Sequence, residues 1–160
     1  WRSTPWNDQT RRSVAPDRIT VNAGWSSSIT FFSTRFATLT KESVPGIGRF
    51  LSFVGDSIPE LGRHVLTLGV PVATEGRYRI SLIPVLGPGQ GMVQLLRDDQ
   101  PHGAAVDTRS DSRRVGEAMV LGEMALEAGD VSLHLRITPS APASRRAALD
   151  VVRVVLERVR

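Results

Sequence analysis

From residue 66 onward, apolar and polar positions alternate in short runs, and each run stops at glycine, proline or aspartate. Leu66, Leu68 and Val70 alternate with Thr67 and Gly69. Tyr78, Ile80 and Leu82 share one face of the next run, and Val131, Leu133, Leu135 and Ile137 share one face of a later one. A period of two puts every second side chain on the same side of an extended backbone, so these runs predict half-buried strands. Thr74-Glu75-Gly76, Leu86–Gly91, Asp98-Asp99-Gln100-Pro101 and Gly129-Asp130 punctuate them. Aspartate bonds its own downstream backbone and proline brings no ladder donor, so these are turn sequences. Leu121–Leu126 and the 131–137 run, joined at Gly129-Asp130, predict a hairpin. The polar stretch 107–116 predicts a long exposed loop.

Upstream, Arg18–Thr40 is β-like and rich in Thr, Ser and Phe. Ile19, Val21, Ile29, Phe31, Phe32 and Phe36 can supply one side of a core. Arg49–Val54 reads as a short strand after the Val44–Gly48 turn. The final segment carries two signals. Ala148, Val151, Val152, Val155 and Val159 fall at helical spacing, whereas Val152, Val154 and Leu156 alternate. The density of valine, stiff at χ1, favours a strand there. Residues 1–17, polar and containing Pro5 and Pro16, are expected to be a linker or strap to an upstream domain. Residues 18–160 are expected to form a single all-β domain, an antiparallel jelly-roll-like β-sandwich.

Composition narrows the class. A chain of 160 residues is long enough for one real core, burying about 70% of its unfolded surface. No apolar run approaches the roughly 18 residues that span a bilayer, so no membrane partner is expected. The chain opens Trp1-Arg2-Ser3 without an initiator Met, which predicts a processed product or, in preference, a piece of a longer protein. Cysteine is absent, which excludes disulfides, thiolate nucleophiles and Cys-based zinc sites. That fits an exported bacterial protein, leaning the expected location to the extracellular space or cell envelope. Net charge is +4, and Lys41 is the sole lysine among 20 basic residues, a bias that reflects a GC-rich genome. Arg113-Arg114, Arg145-Arg146 and Arg153/Arg158/Arg160 lack the stacking aromatics or reading helix of nucleic-acid binders. They predict a solvated or domain-facing surface, with no nucleic-acid partner.

Candidate chemistry is sparse. Asp98-Asp99 is explained by its turn rather than by a carboxylate pair for acid–base work. Asp107, Asp111 and Asp130 could lend oxygens to calcium, but that ion wants six to eight and no dense Asp-x-Asp spacing appears. His64, His102 and His134 are too scattered for a zinc motif, and His134, beside Ser132 and Arg136, reads as a surface residue. No Gly-x-Ser-x-Gly elbow accompanies the serines. Leu86–Gly91 is glycine-rich, yet it joins two strands and contains Pro88, so a connecting loop is expected rather than a phosphate cradle. No catalytic and no metal-binding residue is therefore predicted. Trp1, Trp6 and Trp25 remain as carbohydrate or domain contacts, because large amphipathic rings mark interfaces.

The order of phrases has a further meaning. Val70-Pro71 with Gly76-Arg77-Tyr78, Gly91–Leu95 with Asp98–Pro101, Leu126–Leu133, and Leu149-Asp150-Val151-Val152 together resemble galactose-binding-like β-sandwich modules. They resemble in particular the sandwich that accompanies the double jelly-roll part of glycoside hydrolase family 172, enzymes acting on fructan and arabinan linkages. The similarity covers residues 66–160. It implies a non-catalytic accessory module docked on an upstream catalytic domain of the same polypeptide, with no cofactor; a structural calcium is the one ion it leaves open. It also implies a sugar site built from aromatic rings and an Asn in the loop before the closing strand. Here that loop is Ser140–Arg145, with neither, and no Trp, Tyr or Phe follows Tyr78. An independent carbohydrate-binding module, or a hydrolase whose Ser, His and Asp converge only in space, are the alternatives.

Overall fold

The computed structural model of the chain describes residues 12–15, 17–23, 31–33, 37–56, 64–140 and 146–160. Their regular structure is all strand. In chain order the strands are β1 (Arg12–Ala15), β2 (Arg18–Asn22), β3 (Phe31–Ser33), β4 (Ala37–Val44), β5 (Gly48–Asp56), β6 (His64–Val72) and β7 (Gly76–Leu86). They continue as β8 (Met92–Arg97), β9 (Gln100–Pro101), β10 (Val106–Asp107), β11 (Arg114–Val115), β12 (Met119–Leu126), β13 (Gly129–Thr138) and β14 (Arg146–Val159). One sheet follows the path β1-β2-β14-β5-β4, with β7 also on β14 and with β11 and β12 on β7. The other follows β10-β8-β13-β6-β3, with β9 on β8. Every strand pair is antiparallel, so the fold is the expected jelly-roll-like β-sandwich. Residues 12–15, within the stretch read as a strap, pair with β2 and extend the first sheet.

The inner faces hold the core. Leu66, Leu68 and Val70 of β6, Tyr78, Ile80 and Leu82 of β7, and Leu133, Leu135 and Ile137 of β13 are all buried in one cluster. Val131, the fourth residue of the β13 stripe, is half-buried against it. Tyr78 brings a hydroxyl inward and donates it to the Thr74 carbonyl, so burial leaves no orphaned polar atom there. The Asp98-Asp99 turn is a two-residue hairpin: Arg97 pairs with Gln100, and φ is 49° and 65° at the two aspartates. Positive φ at both central positions is the type I′ geometry that matches strand twist.

The final segment is a strand, and it contains a bulge. Its register against β7 shifts between Val151 and Arg153, so Val151 and Val154 both face the core while Val152 is half-buried. One extra residue resets the two-residue period, which is why helical spacing and alternation coexist in its sequence.

Two expectations are corrected. β12 and β13 are not a hairpin: β12 pairs with β7 in the first sheet and β13 with β6 and β8 in the second. Glu127 and Ala128 carry the chain across the sandwich, Gly129 takes φ 119°, and Asp130 already pairs with Pro71. Alternation marks which residues point inward, and both sheets have an inward face, so it cannot say which sheet a strand joins. Residues 107–116 are not simply an exposed loop either. They include the end of β10 and all of β11, and Thr108 is fully buried, its N–H and hydroxyl both donating to the Gly91 carbonyl.

Leu133, 2% exposed, sits in the middle of this core. Leu133→Ala should cost about 2–5 kcal/mol through lost burial and the cavity left behind. Urea denaturation of the two proteins measures it, and a cost under about 1 kcal/mol would contradict the packing described.

Candidate functional site

Trp1, Trp6 and Trp25, the residues singled out as carbohydrate or domain contacts, lie outside the described residues, as do 141–145 of the loop before β14. The three aspartates considered for calcium are apart. Asp107 accepts from the Arg109 N–H at 3.0 Å and the Ser140 hydroxyl at 2.7 Å, while Asp130 is a strand residue opposite Pro71. Among the described residues no three acidic, histidine or cysteine side chains come together as a metal site. Several arginines of the expected basic surface are engaged: Arg153 donates to Asn22 at 2.7 Å, and Arg158 and Arg160 pair with Asp17 at 3.9 and 2.7 Å.

Two polar constellations stand out. The first surrounds Asp150, whose side chain is 6% exposed. Leu149 and Val151 flank it and point into the core, so Asp150 points to the outward face of the first sheet, opposite Ser52 of β5 and Val85 of β7. Phe50, two residues before Ser52, lies on the same outward side and is 1% exposed. The 86–91 loop crosses here on its way to the second sheet. Gly91 N–H donates to the Ala148 carbonyl at 2.7 Å, and the Gln90 amide takes the place of a neighbouring strand. Its Oε1 accepts from Asp150 N–H at 2.9 Å while its Nε2 donates to Asp150 Oδ2 at 3.2 Å. A Cβ at position 91 would collide with the Thr138 carbonyl, so only glycine allows this crossing.

Arg113 closes the constellation from above. Its guanidinium lies 3.6 Å from Asp150 Oδ2 and 5.3 Å from the centre of the Phe50 ring, an ion pair and a cation–π contact from one side chain. Arg113 is therefore not a freely solvated surface charge; it pins the 108–113 segment onto the sheet. Burial pushes the Asp150 carboxyl above its ordinary value, and the hydrogen bond with Ser52, the Arg113 charge and the bond with Gln90 oppose that rise.

The second constellation is an open cavity of about 450 Å3 at the tip of the β8–β9 hairpin. Leu96, Arg97, Asp98, Asp99, Met124, Ser132 and His134 line it. Leu96 and Met124 are buried and form its apolar part. His134, read as a solvated surface residue, is half-buried and held by Thr67, with Nδ1 and Oγ1 2.8 Å apart. Sequence reasoning placed Asp98, Asp99 and His134 but not their proximity, which arises because β8 lies beside β13 with Leu96 opposite His134. It passed over Asp150, Gln90 and Arg113 as a group. The available signal was a carboxylate inside a run of Leu and Val, since aspartate is depleted in strands.

No protein-family model matches the chain, and no curated protein matches it. Solved structures do. The chain is similar to a Paenibacillus xanthan lyase at TM-score 0.69 and 15% identity, over 84% of this chain and 13% of the lyase. It is similar to the Podospora anserina GH26-CBM35 β-(1,4)-mannanase at TM-score 0.54 and 16% identity, over 91% of this chain and 28% of that one. A family 35 carbohydrate binding module from Clostridium thermocellum matches at TM-score 0.50 and 10% identity, over 82% of this chain and 99% of the module. The likeness is one of fold, the β-sandwich found in carbohydrate-binding modules and in domains of carbohydrate-active enzymes. The chain spans only a small part of the two enzymes.

The Asp150 site makes a pH prediction. Because its folded carboxyl titrates above the ordinary 3.8, the native state holds the proton more tightly than the unfolded chain does. Its contribution to stability is greatest below pH 3.8 and is lost as pH rises through the elevated folded value. The stability of the natural protein relative to Asp150→Asn should therefore fall as pH increases across that window. Urea midpoints of both proteins between about pH 3.5 and 7 check the sign, and a relative stability that rises instead would refute it.

Proposed function

We propose that the chain is a non-catalytic, carbohydrate-binding accessory module of a larger polysaccharide-acting protein. The observation that carries this reading is how the fold match divides. It takes in more than four-fifths of this chain, nearly all of a free-standing carbohydrate binding module, and only 13% and 28% of two enzymes. A domain of that size recurring beside different catalytic parts is a carried module. The resemblance of residues 66–160 to the sandwich of glycoside hydrolase family 172 makes that family the specific host proposed.

A role in docking on the catalytic domain has its own support. Val115 and Val120, 41% and 54% exposed, lie on β11 and β12, which line the same edge of β7. Apolar side chains on one sheet edge suit a contact with a neighbouring domain. Trp1, Trp6 and Trp25 are proposed to add to that contact or to the glycan surface.

Calorimetric titration of the chain with a panel of neutral oligosaccharides tests the module reading. Binding without turnover is expected, in the range of weak, reversible recognition. Sustained hydrolysis of glycoside or ester substrates by the chain would replace it with the hydrolase reading, and absence of binding to every glycan would remove it.

A further inference from the structure

We propose that the cavity at the β8–β9 hairpin tip is a sugar subsite that takes a neutral pyranose through a vicinal diol, with Asp98 and His134 as its polar contacts; this rests on the module reading above. Its volume of about 450 Å3 lies within the roughly 300–1,000 Å3 of small-ligand clefts. Leu96 and Met124, 2% and 6% exposed, form its closed floor. The accessible lining is polar: Arg97, Asp98, Asp99 and Ser132 are exposed and His134 is half-buried.

Each polar group has a stated capacity. The type I′ turn projects Asp98 and Asp99 from a backbone closed by the Arg97–Gln100 pair, which sets where the carboxylates begin. A carboxylate only accepts, and its two oxygens match two adjacent hydroxyl donors. His134 has Nδ1 engaged with Thr67, which orients the ring and assigns Nε2 to a ligand. Nε2 and the Ser132 hydroxyl can each meet a sugar oxygen in either sense, and Arg97 adds donors. Two carboxylates against one guanidinium leave the rim with a formal negative charge, which disfavours an acidic sugar. Among the described residues, no three His, Cys, Asp or Glu side chains are gathered here with the geometry of a metal site. The predicted ligand is thus a neutral hexose unit of an oligosaccharide, held through its hydroxyls by the polar side chains of the rim.

The test uses the whole chain with cellotriose, β-1,4-mannotriose, β-1,3-galactotriose and a galacturonic acid trimer. Asp98→Asn keeps the turn, since asparagine tolerates the left-handed region, but exchanges an acceptor for a donor. His134→Gln keeps a polar group without the ring. For the best neutral ligand, Asp98→Asn should weaken affinity by about tenfold, the equivalent of one charge-assisted hydrogen bond, with the melting temperature unchanged. The amide NMR signals of residues 97–99, 132 and 134 should shift on titration, and the acidic trimer should bind more weakly. Equal affinity of natural protein and both variants, with shifts mapping elsewhere, overturns the subsite and leaves the module reading standing. Tighter binding of the acidic trimer overturns the ligand class. A natural protein that binds none of the glycans removes the module reading and the subsite together.

Discussion

Strand β14 is shared by more of the molecule than any single core residue. One of its edges pairs with β5 over residues 146–151 and with β2 over 153–157, and the opposite edge pairs with β7 over 150–159. The bulge at Val152 lets one strand serve these neighbours while keeping Ala147, Leu149, Val151, Val154 and Leu156 in the core. Above Asp150 the β7 side of this strand would be left without partners. The 86–91 loop meets that need with Gly91 N–H and the Gln90 amide. The crossing of the chain between sheets is therefore tied to the hydrogen-bond requirement of the central strand.

That requirement explains why a carboxylate lies where a sandwich would ordinarily carry an apolar residue. Asp150 loses solvation, and the three groups around it offset only part of the loss. The arrangement buries Phe50 and Val85 on the outward face, giving the first sheet a second, smaller hydrophobic layer beneath Arg113. Breaking one member leaves the others uncompensated, since a buried polar group without its partner costs about 1–3 kcal/mol. The centre organises the loop end of the sandwich, whereas the hairpin cavity lies on the second sheet and depends on β8 lying beside β13.

Inward-facing positions were legible in the sequence because a sandwich is apolar on one side of each strand, and Leu66–Val70, Tyr78–Leu82 and Leu133–Ile137 carry that signature cleanly. The Asp98-Asp99 turn was legible because turn chemistry is local. Sheet membership was not: Leu126 and Val131 read as two arms of a hairpin, and nothing within five residues says that the chain crosses the sandwich between them. The Asp150 centre was hidden for the same reason. Ser52, Gln90, Arg113 and Asp150 meet only after four separate elements have paired, and each has an ordinary local explanation.

The sharing of β14 also sets the order in which the domain can be built. β2, β5 and β7 are made well before the strand that joins them, and Val21 waits for Val154. Until then three strand edges have unpaired N–H and C=O groups and apolar faces without cover, the condition in which chains pair with one another. Assembly of the first sheet thus waits for the last strand of the domain, and its contacts are far apart in sequence, so folding is slow for the size of the domain. The β4–β5 and β8–β9 hairpins, closed by local turns, can form early. They provide the structured pieces on which a chain still emerging from the ribosome would have to rely.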